Sequence, residues 1–211
     1  YYYCKVVNNS GEINAVYSNP ARLVVQRAAA HWTLNAADFV GGQYLDVSGE
    51  GHHADPNGPT PAFVPGVITD SEGVSMDAYS FASAGTWNPS TVSDAFTVSM
   101  WIKWNGNNGA YQNLLSKMDS WAADDMMWQF GISAGNQIGI IRSGGATISN
   151  GSPVVGEWEF IALTFDGSTA TVYRVLDGNI FFSTVAGAFS LGTDTEATLW
   201  LGASANGGQL F

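Results

Sequence analysis

From residue 32 onward the chain consists largely of short runs in which apolar and polar residues alternate, separated by clusters of Gly, Asn, Asp and Ser. Alternation with a period of two puts successive side chains on opposite faces of a strand, so it predicts antiparallel β-structure with one buried face per strand. The clearest run is Phe96 to Trp104: Phe96, Val98, Met100, Ile102 and Trp104 share one face, and Thr97, Ser99, Trp101 and Lys103 share the other. Glu157 to Phe165 is a second run, closed by Asp166-Gly167-Ser168 and followed by Thr169 to Val175 and Asp177-Gly178. Asp-Gly between alternating runs predicts a hairpin. Further strands are expected at Asn113 to Lys117, Met127 to Ile132, Gln137 to Arg142, Ile180 to Val185 and Thr198 to Gly202. Helical periodicity is almost absent. The expected fold class is therefore all-β, an antiparallel jelly-roll sandwich.

A different pattern occupies the N-terminus. Tyr1 to Val7 is strand-like, Asn8-Asn9-Ser10-Gly11 has turn chemistry, and Ala21 to Val25 resumes an apolar run after Asn19-Pro20. These residues predict a short β-hairpin, which is marginal alone and needs another surface to lean on. They read as the interior of a β-domain rather than as a signal peptide, which would carry a basic leader, an apolar segment and a small-residue cleavage site. Residues 27–31 form a linker of small and polar residues, and Gly, Thr, Ser and Trp dominate after it.

Charge narrows the partners. The 211 residues include 7 Lys and Arg against 18 Asp and Glu, a net charge of -11. Such a chain lacks the cationic footprint needed for phosphate backbones or anionic membranes, so nucleic acid is excluded as a partner. No apolar stretch reaches eighteen residues, which excludes insertion of a helix into a membrane. A single cysteine excludes an internal disulfide and a thiolate zinc cluster.

The series Phe96 to Lys103, Leu114-Leu115-Ser116-Lys117 and Gly156 to Ser168 resembles the laminin G-like jelly-roll family of the concanavalin A-like superfamily. Asp46 to His52 and Leu199-Trp200-Leu201-Gly202-Ala203 agree with it, so the resemblance spans residues 32–211. At Glu159-Phe160 the chain departs from the family, which often has His-His there. The resemblance also implies a further strand beyond Phe211 that closes the sheet. Separately, Tyr2-x-Cys4 followed by a turn and a second strand resembles the last two strands of an immunoglobulin-like domain. That resemblance assigns residues 1–26 to the tail of such a domain, makes Cys4 half of a severed disulfide and implies an extracellular setting. The alternative is a free cysteine in an ordinary edge hairpin.

Five features are candidates for chemistry. Asp46-Val47-Ser48-Gly49-Glu50-Gly51 packs acids and a hydroxyl into a glycine-bent loop, which suits an oxygen-liganded cation. The laminin G-like resemblance implies a structural calcium there, held by Asp46, Ser48 and Gly49 with an acid from the strand beyond Phe211. The alternative is an Asx-type turn in which Asp46 caps its own backbone. His52 and His53 are adjacent, point to opposite faces on a strand and are expected at the surface. The loop Met118 to Asp125 carries acids and one tryptophan and is a candidate second cation site or, through Trp121 and Asp124, a rim for a glycan. The alternative is a loop that simply faces water. Glu157 and Glu159 lie about 7 Å apart along a strand at ~3.4 Å per residue. They lack the third acid of related glucanases, since Ala162 stands in its place. Last, eight tryptophans offer sugar-stacking platforms, with Trp101, Trp121, Trp128 and Trp158 the candidates. The family resemblance places Trp101 and Trp158 in the core, and Trp121, in a loop, is the one to test.

Nucleophile elbows, phosphate loops and dinucleotide fingerprints are absent from the sequence. The expected function is a non-catalytic binding or adhesion module of a secreted or cell-surface multidomain protein. Its partners would be a glycan or an extracellular protein, beside the neighbouring domains of the same polypeptide. A glycoside-cleaving domain of the same superfamily and a purely architectural spacer are the competing expectations.

Overall fold

Alternation resolves into strands wherever it was read. The computed structural model describes residues 28–76, 80–90, 95–122, 125–141, 147–185, 190–205 and 210–211, with two short strands before them. In chain order the strands are β1 (Lys5–Val6), β2 (Val16–Tyr17), β3 (Phe39–Val40), β4 (Gln43–Tyr44), β5 (Asp55–Asn57), β6 (Ala62–Pro65), β7 (Glu72–Ser75) and β8 (Phe81–Ser83). The longer ones follow: β9 (Phe96–Lys103), β10 (Gln112–Met118), β11 (Met126–Ile132), β12 (Ile138–Ile141) and β13 (Thr147–Ser149). Then come β14 (Trp158–Phe165), β15 (Ala170–Leu176), β16 (Asn179–Val185) and β17 (Leu199–Leu201).

All strand pairs are antiparallel. One sheet has the order β13-β12-β11-β10-β17-β8-β5 and the other β16-β15-β14-β9. The two pack face to face around Phe96, Ile161, Leu163 and Val172 from the four-stranded sheet and Trp128, Phe130, Ile140 and Leu199 from the seven-stranded one. Phe96 stacks on Trp128 with ring centroids 4.9 Å apart, which ties the sheets together at the end where β9 begins. The nearly all-β architecture expected from the sequence is what the chain adopts.

The register explains which aromatics are hidden. In β9, Phe96 and Ile102 point inward and Thr97, Ser99, Trp101 and Lys103 outward. Trp101 is 47% exposed, so the core position implied for it by the family resemblance is corrected: its place in the pleat puts it with the outward set. Across the outer face it lies in one row with Phe160, Val175 and Ile180, and its ring meets Phe160 edge-on at 5.5 Å. Trp158 is half-buried in the outward set as well, beside Lys103. Trp128, by contrast, is fully buried.

At the N-terminus β1 pairs with β2, so Val16–Tyr17 partners the first strand. The expected second strand at Ala21 to Val25 lies outside the described residues, as do Tyr2 and Cys4.

Candidate functional site

The loop 119–125 joins β10 to β11 at the end of the sandwich where β9 begins and β17 begins. Trp121 stands in it 53% exposed. The loop is braced from within. The N–H of Asp119 donates to the Asp125 carbonyl at 2.9 Å and the N–H of Asp125 to that of Ala122 at 3.1 Å. The Ser120 hydroxyl donates to Asp125 Oδ2 at 2.6 Å and itself accepts the Ala122 N–H at 3.0 Å. Asp119 Oδ1 accepts the N–H of Thr198, which fastens the loop to the start of β17 at 3.1 Å. Asp119 and Asp125 thus serve the loop's shape, and the Trp121 ring stands in solvent beside them. Asp124, its expected partner, lies outside the described residues.

Beneath this loop is a group that sequence reading missed. Lys117 sits on β10 directly opposite Trp128 and Leu199, and its side chain is fully buried. Its ammonium donates to the carbonyls of Thr86 and Ala197, clasping the segments before β9 and before β17 to the end of β10. Burial pulls its pKa below that of an ordinary lysine, while Asp194, Glu196 and Asp119 push the other way. The clue was in the run itself. Lys117 has the parity of the core residue Leu115, where a strand would otherwise place an apolar side chain.

The Asp46 loop is a hydrogen-bonded turn. Asp46 is 5% exposed, and its carboxylate accepts the N–H groups of His31 (2.8 Å), Ser48 (2.9 Å) and His52 (2.9 Å). Burial opposes ionisation, but hydrogen bonds from Ser48, His31 and His52 outweigh it and hold the carboxyl at about 2. The Ser48 hydroxyl accepts the N–H of Glu50 at 3.2 Å, and Gly49 bends the chain at φ +92. Backbone N–H donors reach both Asp46 oxygens, and among the described residues no three His, Cys, Asp or Glu side chains converge as metal ligands. The geometry at Asp46, Ser48 and Gly49 is that of the Asx-turn alternative. The histidines diverge as expected: His53 Nδ1 accepts the Asp46 N–H at 3.0 Å, whereas His52 stacks on Trp87 at 4.0 Å.

The carboxylate pair at Glu157 and Glu159 separates. Glu157 is exposed ahead of β14, while Glu159 is fully buried between the sheets. Glu159 Oε2 accepts two hydrogen bonds from Arg174, at 2.9 and 2.7 Å, and Oε1 accepts the Val154 N–H at 2.5 Å. That carboxylate is spent on the interior and faces no groove.

With the fold and these groups in place, comparison with known proteins gives a consistent answer. Residues 77–211 match a laminin G family described as the Concanavalin A-like lectin/glucanases superfamily, and the chain belongs to that family. No curated protein matches the sequence. Among solved structures, domain 4 of AbnA, an extracellular arabinanase from Geobacillus stearothermophilus, solved in complex with arabinotriose, is similar at 17% identity and a TM-score of 0.57. The match covers 83% of this chain and 84% of that one. Tailspike protein 2 of an Escherichia coli O157:H7 bacteriophage is similar at 14% identity and a TM-score of 0.56, over 74% of this chain. The Trypanosoma rangeli sialidase is similar at 14% identity and a TM-score of 0.53, over 85% of this chain. This chain spans 24% of the tailspike and 28% of the sialidase, so it corresponds to one part of each. These likenesses establish a shared sandwich.

Proposed function

We propose that the chain is a non-catalytic glycan-binding module of a secreted or cell-surface multidomain protein. The observation that carries the proposal is Trp121, a large aromatic held 53% exposed on a loop braced by Asp119, Ser120 and Asp125. A flat, pre-organised indole suits the C–H face of a pyranose, and bracing lowers the ordering cost of binding. Membership of a lectin/glucanase superfamily supports the same conclusion, as does the sandwich shared with the arabinotriose complex of AbnA domain 4. Commitment of Glu159 to Arg174 favours binding over cleavage, since a glycosidase needs two carboxylates facing its substrate. Residues 1–26 enter the proposal as the tail of an immunoglobulin-like neighbour.

A glycan array probed with the full chain, with and without calcium, tests it. Binding to at least one glycan is expected, weakened about fivefold by Trp121→Ala, in line with loss of one aromatic contact of ~1 kcal/mol. Absence of binding under both conditions would overturn the proposal.

A further inference from the structure

The opposite end of the sandwich holds a cleft of about 450 Å³. It lies where β9 hands over to β10, far along both strands from the Trp121 loop. The volume falls within the range of about 300 to 1,000 Å³ typical of small-molecule sites. Trp104 and Gln112, at the two ends of the connecting loop, form part of its wall and are locked together: the indole N–H donates to Gln112 Oε1 at 3.0 Å. Phe211 forms the facing wall, anchored by its N–H to the Gly202 carbonyl at 3.0 Å.

The loop between them is fixed rather than loose. Asn107 turns away from the cleft and donates to the Ala134 carbonyl at 2.7 Å and to Asn136 Oδ1 at 2.6 Å, which pins the loop to the β11–β12 turn. Gly106 and Gly109 take positive φ, +110 and +84, which bends the chain on either side of Asn107 and Asn108. Asn105 and Asn108, not Asn107, line the cleft. Asn108 Oδ1 accepts the Ala110 N–H at 3.0 Å, so its amide nitrogen is left to donate. Gln112 likewise has its oxygen engaged and its nitrogen available.

The lining therefore joins an aromatic and aliphatic wall to amide groups and the hydroxyl of Ser75, and among the described residues it contains no ionisable side chain. An anionic ligand would find no cation among the described lining residues and a net charge of -11 around it. A neutral polyol with C–H faces matches both halves of the lining. We infer that this cleft is a second saccharide site, selective for uncharged sugars and independent of the Trp121 loop. The inference rests on the glycan-binding proposal and adds a location and a ligand class to it.

Titration of the isotope-labelled full chain with arabinotriose, cellotriose and, as the anionic comparator, sialyllactose separates the two sites by NMR. The neutral trisaccharides are expected to shift the Trp104 indole N–H and the Phe211 amide, and to shift both equally when Trp121 is replaced by Ala. Asn105→Ala with Asn108→Ala is expected to weaken the effect about tenfold, the equivalent of one or two hydrogen bonds. Shifts confined to the Trp121 indole, or a response at Trp104 as strong to sialyllactose, would overturn the cleft while leaving the glycan proposal standing. Absence of any shift with these sugars, together with a blank glycan array, would overturn both. Because the wild-type signals alone locate the site, the outcome does not depend on the folding of the variants.

Discussion

Asp46 shapes its loop through hydrogen bonds from three backbone N–H groups. Its carboxyl is held at about 2 against an ordinary value of 3.8, so the folded state binds its proton more weakly than the unfolded state does. The stability this contributes is present above pH ~4 and is lost as pH falls from there towards ~2. Acid unfolding followed by tryptophan fluorescence is expected to show that loss, and Asp46→Asn should flatten the slope in that window. The Glu159 and Arg174 pair carries a second expectation. Arg174→Leu should cost about 3 to 5 kcal/mol by stranding a buried carboxylate, while Glu159→Leu combined with Arg174→Leu should recover most of it; denaturant unfolding of the three proteins measures both. The turn at Asp46 was legible because Asp-x-Ser-Gly is a local signal. The ion pair was not, because Arg174 reaches Glu159 through the alignment of β14 with β15, and no spacing along the chain encodes that alignment.

Among the elements, the long alternating strands were legible and the short ones were not. β9, β14, β15 and β16 lie within a residue or so of where alternation put them, and β9 shows the contrast between faces most plainly, with Phe96 and Ile102 buried and Thr97, Ser99, Trp101 and Lys103 exposed. β3 to β8 span two to four residues each, too few for a period of two to stand out. β10 and β11 are different again: all seven residues of each are buried, so their polar members Ser116, Lys117 and Gln129 do not mark a solvent face. Register shifts within the β10–β11 pair bring both Leu114 and Leu115 into the core, where strict alternation would allow only one. Close pairing there also makes Gly131 intolerant of a side chain. A methyl group at that position would stand 2.3 Å from the Gln112 carbonyl oxygen and 2.7 Å from the Tyr111 ring. Gly131→Ala should therefore destabilise the protein by about 1 to 3 kcal/mol, seen as a lowered melting temperature in calorimetry.

At the scale of the whole molecule, fold class and superfamily were legible because many weak local patterns agreed, which is what a sandwich of repeated strand pairs provides. The sites were legible only in part. Trp121 stood out as the tryptophan of an acidic loop, whereas the cleft between Trp104 and Phe211 brings together residues more than a hundred positions apart. One further consequence follows from where the cations went. Beyond the linker the sequence has four, Lys103, Lys117, Arg142 and Arg174, and two of them, Lys117 and Arg174, are enclosed by the sandwich. The acids mostly stay outside, so each molecule behaves as a small anionic colloid. Copies displayed close together would hold one another apart in dilute salt and crowd together only once counter-ions screen them, over a distance of about 8 Å at physiological ionic strength.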